Sequence, residues 1–207
     1  MPVKGSRMAE TEYGKGYAAY QLKSARSWVR SRIRSWYLRS LAAGVAGPAI
    51  DFGCGLGGLL ALLPEGSQGL EINPHAVAHW TASGLRARLY DPGKDGYRFA
   101  MLEAGRYTAF IISHVLEHLD DPAGVFAAIT SSCRRLRIGT IIVAVPQTKG
   151  FRFDPTHKTF IDRAYLAANG LLALNGYAVR TAKAFPFPEW MGGYFTHNEL
   201  RLTYAAE

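Results

Sequence analysis

Two carboxylates flanking a glycine-rich turn carry the first recognisable chemistry in this 207-residue chain. Asp51 lies in the apolar stretch Ala49-Ile50-Asp51-Phe52, Gly53, Gly55 and Gly57 follow at alternate positions, and Glu71 sits in a second stretch, Gln68-Gly69-Leu70-Glu71-Ile72. A strand, a tight turn and a helix start in that order let backbone N–H groups approach a nucleotide-like ligand. The distance from Gly53 to Glu71 suits a carboxylate that accepts hydrogen bonds from ribose hydroxyls one strand over. The expected ligand contacts are therefore Asp51, Gly53, Cys54, Gly55 and Gly57 from the turn, with Glu71 and Ile72 beyond it. The glycines alone also fit a dinucleotide, and Asp51 separates the two. A carboxylate two residues before the turn repels a pyrophosphate, whereas it attracts an ammonium or a sulfonium in a partly dry cleft.

A second group of residues could move protons. His114, Glu117 and His118 follow Ser113 in Ser-His-Val-Leu-Glu-His-Leu-Asp-Asp-Pro, and His157 lies in Phe-Asp-Pro-Thr-His-Lys-Thr-Phe. An imidazole is basic enough to take a proton near neutral pH, so His157 is the candidate general base, with His114 the second catalytic candidate. The competing role for His157 is a loop histidine that caps the next helix, for which Asp162 is the rival. Glu117 is as well suited to bracing the fold as to touching ligand.

These residues need a scaffold that brings strand ends together. After Gly47 the chain alternates strand and helix: strands are expected at 49–52, 69–72, 87–90, 108–113 and 140–145, with helices near 59–63, 75–83 and 122–135. This rhythm predicts a parallel sheet with right-handed crossovers and helices on both faces. A helix near 163–174 and strands at 177–184 and 199–204 complete it. In such a sheet a ligand binds beyond the carboxyl ends of the strands where the order reverses, and Asp51, Glu71, Asp91 and Ser113 all fall at those ends.

The motifs Asp-Phe-Gly-Cys-Gly-Leu-Gly, Gly-Leu-Glu-Ile-Asn and Ser-His-Val-Leu-Glu-His-Leu-Asp-Asp-Pro resemble those of the class I S-adenosylmethionine-dependent methyltransferases, most of all the small-molecule, ubiquinone-type O-methyltransferases. The resemblance runs from about Pro48 to the C-terminus. It implies a Rossmann-like α/β fold, a doubly wound seven-stranded sheet in the order 3-2-1-4-5-7-6 with the last strand antiparallel. It implies S-adenosyl-L-methionine as cofactor and S-adenosyl-L-homocysteine as product, Asp91 near the adenine, and His114 with Ser113 at the methionine end. In-line methyl transfer calls for no metal, and none is expected. The expected acceptor is a small-molecule or lipid-linked hydroxyl or carboxyl. RNA or protein methylation, and a non-catalytic module that only binds the cofactor, are the alternatives; the absence of an Asn/Asp-Pro-Pro-aromatic motif after the fourth strand lowers nucleic-acid bases as substrates.

Composition fits a cytoplasmic enzyme. Nearly half the residues, 48%, are apolar, enough for a full core, and the two cysteines, Cys54 and Cys133, have no metal-ligand or redox spacing. No apolar run approaches the ~20 residues of a membrane span, and no secretory leader opens the sequence. The net charge of +8 is concentrated: residues 1–47 hold nine of the 24 Lys and Arg but only two of the 16 acids. The chain therefore divides into a basic N-terminal helical extension or cap, 1–47, and a catalytic domain, 48–207. A helix is expected over 17–43 with an apolar stripe of Leu22, Ala25, Val29, Ile33 and Trp36. Its arginines make an anionic membrane surface or a nucleic acid the candidate partners, with a position peripheral to a membrane as one outcome. The loop 185–195, rich in Phe and also holding Trp190 and Tyr194, is expected to cover a substrate, a partner or that helix.

Overall fold

The structure, a computed structural model, describes residues 28–207. Eight strands form one sheet in the order β3-β2-β1-β4-β5-β8-β7-β6. The five N-terminal strands, β1 (Ala49–Phe52), β2 (Gln68–Glu71), β3 (Ala87–Leu89), β4 (Ala109–Ser113) and β5 (Thr140–Pro146), are parallel, while β8 (Glu199–Ala206) runs antiparallel to both β5 and β7 (Tyr177–Phe185). This is the expected order with one strand added. The addition, β6 (Ala173–Leu174), pairs Leu174 with Tyr177 across Asn175-Gly176, both at positive φ. An Asn-Gly pair of that kind matches the twist of a two-residue hairpin. The helix expected over 163–174 therefore stops early, as Arg163–Ala168, and Gly170 at φ +66° follows.

Alternation along the central strands builds two cores. Ile50, Phe52, Phe110, Ile112, Ile141 and Val143 face one way, into a core completed by Phe126, Ile129 and Cys133 of the helix Pro122–Arg135. Asp121 starts that helix by accepting the Gly124 N–H at 2.9 Å, with Pro122 in its first turn. Ala49, Ala109, Ile111, Ile142 and Ala144 face the other way and are covered by Tyr37 and Leu41. Residues one apart on a strand point to opposite faces, so the two sets interleave without a break.

Helix α1 (Trp28–Ala42) supplies that second cover, and the part of the expected 17–43 helix before Trp28 lies outside the described residues. Among its described side chains, which begin at Ser35 and so leave out Val29 and Ile33, Tyr37 and Leu41 are buried, one helical turn apart, whereas Trp36 is 53% exposed. Trp36 therefore leaves the expected stripe; its ring instead rests on Phe185 at the helix flank, 4.7 Å between centroids. Arg201 of β8 fixes the contact, lying over the rings of Phe185 (3.7 Å) and Tyr37 (4.6 Å) and donating to Ser40 Oγ. The helix expected near 59–63 is only a single 3-10 turn, Leu60–Leu62.

Candidate functional site

The turn after β1 is shaped by backbone that only glycine tolerates. Gly53 leaves the strand at φ +74°, and a Cβ there would overlap Val115. Gly55 donates its N–H to Glu71 Oε2 at 2.7 Å, and its carbonyl accepts from Trp80 Nε1 at 2.9 Å. The other Glu71 oxygen accepts from the N–H groups of Ile72 (2.9 Å) and Asn73 (3.0 Å). One carboxylate thus locks the glycine turn to the end of β2 through three backbone donors, an arrangement the sequence spacing did not reveal.

A cavity of about 480 Å³ opens over this turn, walled by Asp51, Gly53, Cys54, Gly55, Glu71 and Ile72, as expected, and by Ser113 and His114. Gly57 is a correction. It does not reach the cavity; its φ of +78° and the Leu85 side chain packed against it make it a structural glycine, and Gly58 lines the wall instead. Asp91 is a second. Its carboxylate accepts the Gly93 N–H at 2.9 Å and pairs with Lys94 at 3.4 Å, capping a short helix, Pro92–Asp95. The end of β3 gives the cavity Tyr90 and Pro92 in its place. Burial pushes the Cys54 thiol pKa up, which keeps it protonated and unreactive.

Asp51 is the electrostatic centre of this half. It is buried, and its Oδ2 has no hydrogen-bond partner among the described residues. Burial pushes its carboxyl up to about 7, the neighbouring charge of Glu71 adds to the rise, and the Leu60 backbone N–H opposes it. A carboxylate in this state is stabilised by a cationic donor delivered into the cavity.

The far end holds the histidines. His114 stands at φ +56°, unusual for a residue with a Cβ, and hangs between two buried acids: Nδ1 lies 3.1 Å from Glu117 Oε1 and Nε2 2.9 Å from Glu199 Oε1. Burial disfavours the charged ring, but Glu199 and Glu117 together outweigh it and hold the His114 pKa well above its ordinary value. His114 is therefore a hydrogen-bond donor with both nitrogens engaged, not a base. His157 places Nδ1 2.9 Å from the Phe151 carbonyl oxygen, stacks on the Phe151 ring and lines the cavity. It does not cap the following helix, which Asp162 starts by accepting the Tyr165 N–H at 2.8 Å; its bond is to a carbonyl in the last turn of the preceding helix, Thr148–Phe153.

Three residues at this end were beyond sequence reasoning. Glu199 starts β8, 85 positions from His114. Tyr37 reaches in from α1, its hydroxyl 2.6 Å from Ser113 Oγ. Asn198 pins the aromatic loop, accepting the Phe187 N–H and donating to Gln147 Oε1 and the Pro188 carbonyl. Only the fold brings them together, and no local motif marks them. The loop itself leaves Trp190 and Tyr194 exposed, 74% and 73%, while its continuation, Thr196 and His197, lines the cavity.

No family model and no curated protein matches this chain. Solved structures do. Magnesium protoporphyrin IX methyltransferase from Synechocystis PCC 6803, with S-adenosylhomocysteine bound, superposes at a TM-score of 0.64 and 15% identity over 98% of this chain and 99% of its own. DhpI in complex with S-adenosylhomocysteine gives 0.63 and 18% identity over 99% and 98%. The O-methyltransferase NcsB1 from neocarzinostatin biosynthesis, bound to S-adenosylmethionine and 2-hydroxy-5-methyl naphthoic acid, gives 0.53 and 21% identity over 85% and 56%. The chain has the fold of the class I S-adenosylmethionine-dependent methyltransferases.

Proposed function

We propose that this chain transfers a methyl group from S-adenosylmethionine to an oxygen of a small or lipid-linked acceptor. The observation that carries the reading is the buried, unpartnered Oδ2 of Asp51 at the wall of a cavity whose floor is a glycine turn. That oxygen suits the ammonium of an amino-acid moiety and disfavours a pyrophosphate. Glu71 has three of its roughly four acceptor positions filled by backbone N–H groups, which leaves one for a ribose hydroxyl. Ile72, Tyr90 and Pro92 form the apolar part of the wall that an adenine would face. When bound, the cofactor supplies an electrophilic methyl on a sulfonium, so the protein contributes mainly position and exclusion of water.

The acceptor end supports oxygen as the nucleophile. With its Nδ1–H given to Phe151, His157 keeps Nε2 as its basic atom on the cavity wall, suited to taking a hydroxyl proton. His114, with both ring nitrogens spent on Glu117 and Glu199, is a fixed part of the cavity wall beside it. The neighbours act on diverse acceptors, and their fold does not choose among them. Calorimetry tests the first half of the reading: S-adenosylhomocysteine binds and NAD does not, and tighter binding of NAD overturns it. A screen of phenols, carboxylic acids and prenylated hydroxyl compounds with labelled methyl donor then tests the acceptor.

A further inference from the structure

Each backbone N–H of the glycine turn from Gly53 to Gly57 has to find an acceptor, and all but one find it within the protein. Gly53 and Cys54 both donate to the Leu70 carbonyl, at 2.8 and 3.2 Å. Gly55 donates to Glu71 Oε2 at 2.7 Å, and Gly57 to the Cys54 carbonyl at 2.8 Å. That leaves Leu56, whose N–H meets no acceptor among the described residues. Leu56 is half-buried and lines the cavity. A turn whose glycines promise several donors thus keeps one spare.

What aims that donor lies on another element. In a trans peptide the C=O and the next N–H point in opposite directions, and the Gly55–Leu56 bond is trans. The Gly55 carbonyl accepts the indole N–H of Trp80 at 2.9 Å; the Cys54 thiol, 4.0 Å away, is only a weak donor. Trp80 belongs to the short helix Val77–Ser83, is 2% exposed and packs with Cys54 and Ala76 behind the cavity wall. Both ends of its segment are fixed. Asn73 accepts the His75 N–H at 2.9 Å, and the Trp80 carbonyl accepts the Leu85 N–H at 3.0 Å, after Gly84 turns the chain at φ +66°. With the Gly55 carbonyl drawn behind the wall, the Leu56 N–H faces the side on which the cavity opens.

We propose that Trp80 is a positioning residue: by pinning the Gly55 carbonyl it aims the Leu56 N–H at an anionic oxygen of the ligand. The inference rests on the methyltransferase reading, in which that oxygen belongs to the carboxylate of the cofactor's amino-acid moiety and the ammonium meets Asp51. Electrostatics gives the donor its importance. Among the described residues no Lys or Arg lines the cavity, while Asp51 and Glu71 do, so an entering carboxylate relies on hydrogen-bond donors held in place for it. A donor fixed in advance needs no reordering when the ligand arrives.

The test compares two ligands that differ by this group alone, S-adenosylhomocysteine and S-adenosyl-3-thiopropylamine, its analogue without the carboxylate. Both are titrated by calorimetry into the full chain and into Trp80→Phe, which keeps a buried aromatic ring and deletes the indole N–H. The parent chain should prefer S-adenosylhomocysteine by about tenfold or more, the worth of one hydrogen bond to a charged group. Trp80→Phe should lose most of that preference, binding S-adenosylhomocysteine about tenfold more weakly and the analogue within about twofold of the parent. A merely structural tryptophan would weaken both ligands alike. That result, no preference in the parent, or an unchanged preference in the variant overturns the role. A second measurement needs only the parent chain. With ¹⁵N-labelled leucine, and the Leu56 amide assigned by its absence from Leu56→Met, S-adenosylhomocysteine should shift that amide proton downfield and the analogue should not. Equal shifts with both ligands overturn the aim of the donor. If neither ligand binds the parent chain, the methyltransferase reading fails and this inference falls with it.

Discussion

At the scale of single residues, Asp51 and Glu71 are both buried acids of one cavity but do opposite work. Glu71 accepts three backbone N–H groups, so Glu71→Ala should lower stability by about 1–3 kcal/mol as well as weaken cofactor binding, because those donors lose their acceptor. Asp51 Oδ2 has no partner among the described residues, so Asp51→Asn should leave the melting temperature unchanged or raised and yet abolish most of the affinity for S-adenosylhomocysteine. Thermal melts and calorimetry on the pair separate the roles; equal melting temperatures for both variants would contradict them. Asp51 also predicts a pH dependence. Its carboxyl sits at about 7 in the free chain, and an ammonium bound beside it draws that value down. Binding then releases a proton at pH values below about 7, and affinity rises with pH, by at most about tenfold per unit, until it levels off above 7. Calorimetry in two buffers of different ionisation enthalpy measures the released proton, which should vanish in Asp51→Asn. These two acids and the glycine turn were readable in the sequence because strand, turn and strand lie within about twenty positions. Asp91 and Gly57 misled because a strand-end acid followed by Pro-Gly is also a helix cap, and a glycine in the repeat is also a packing glycine.

At the scale of elements, periodicity located α1 and the strands but not the angle at which α1 docks. The three-and-four spacing runs through Trp36, yet the side chains that meet Ile111, Ile142 and Ala144 are Tyr37 and Leu41. What decides is the partner surface: the Tyr37 hydroxyl reaches Ser113 at the end of β4, and Arg201 stacks on the same ring. Leu41→Ala should therefore cost about 2–5 kcal/mol, as a buried large-to-small change does, and Trp36→Ala about 1 kcal/mol or less. Denaturant unfolding of both variants checks the order; a larger loss at Trp36 would restore the original stripe. The β6–β7 hairpin had a local signal, Asn175-Gly176, that went unused because the apolar residues before it also fit a helix. The glycine turn's single 3-10 turn had none, since Leu59-Leu60-Ala61-Leu62-Leu63 reads as helix and is stopped by Pro64.

At the scale of the whole molecule, the described end of the basic N-terminal region is part of the packing. Tyr37, Leu41 and Val45 are buried in one core with the central strands, so they belong to the fold rather than to an appendage. Burying two large side chains is worth about 3–6 kcal/mol, a large part of the 5–15 kcal/mol that holds a domain together. Deletion of residues 1–43 should consequently leave a chain that melts far lower or does not fold, whatever its substrate. Deletion of residues 1–27 removes five Lys and Arg and both Glu10 and Glu12 while sparing Tyr37 and Leu41, so it should preserve the melt and S-adenosylhomocysteine binding. The two deletions together also test the charge. If residues 1–27 serve an anionic surface, the intact chain should sediment with anionic vesicles at low salt, lose them near physiological salt, where exposed attractions are screened beyond about 8–10 Å, and the shorter chain should not bind at either. Equal vesicle binding by both chains would move the contact to α1 and to the exposed Trp190 and Tyr194, on the loop whose continuation, Thr196 and His197, lines the cavity. A lipid-linked acceptor would then be delivered at the rim of the site itself.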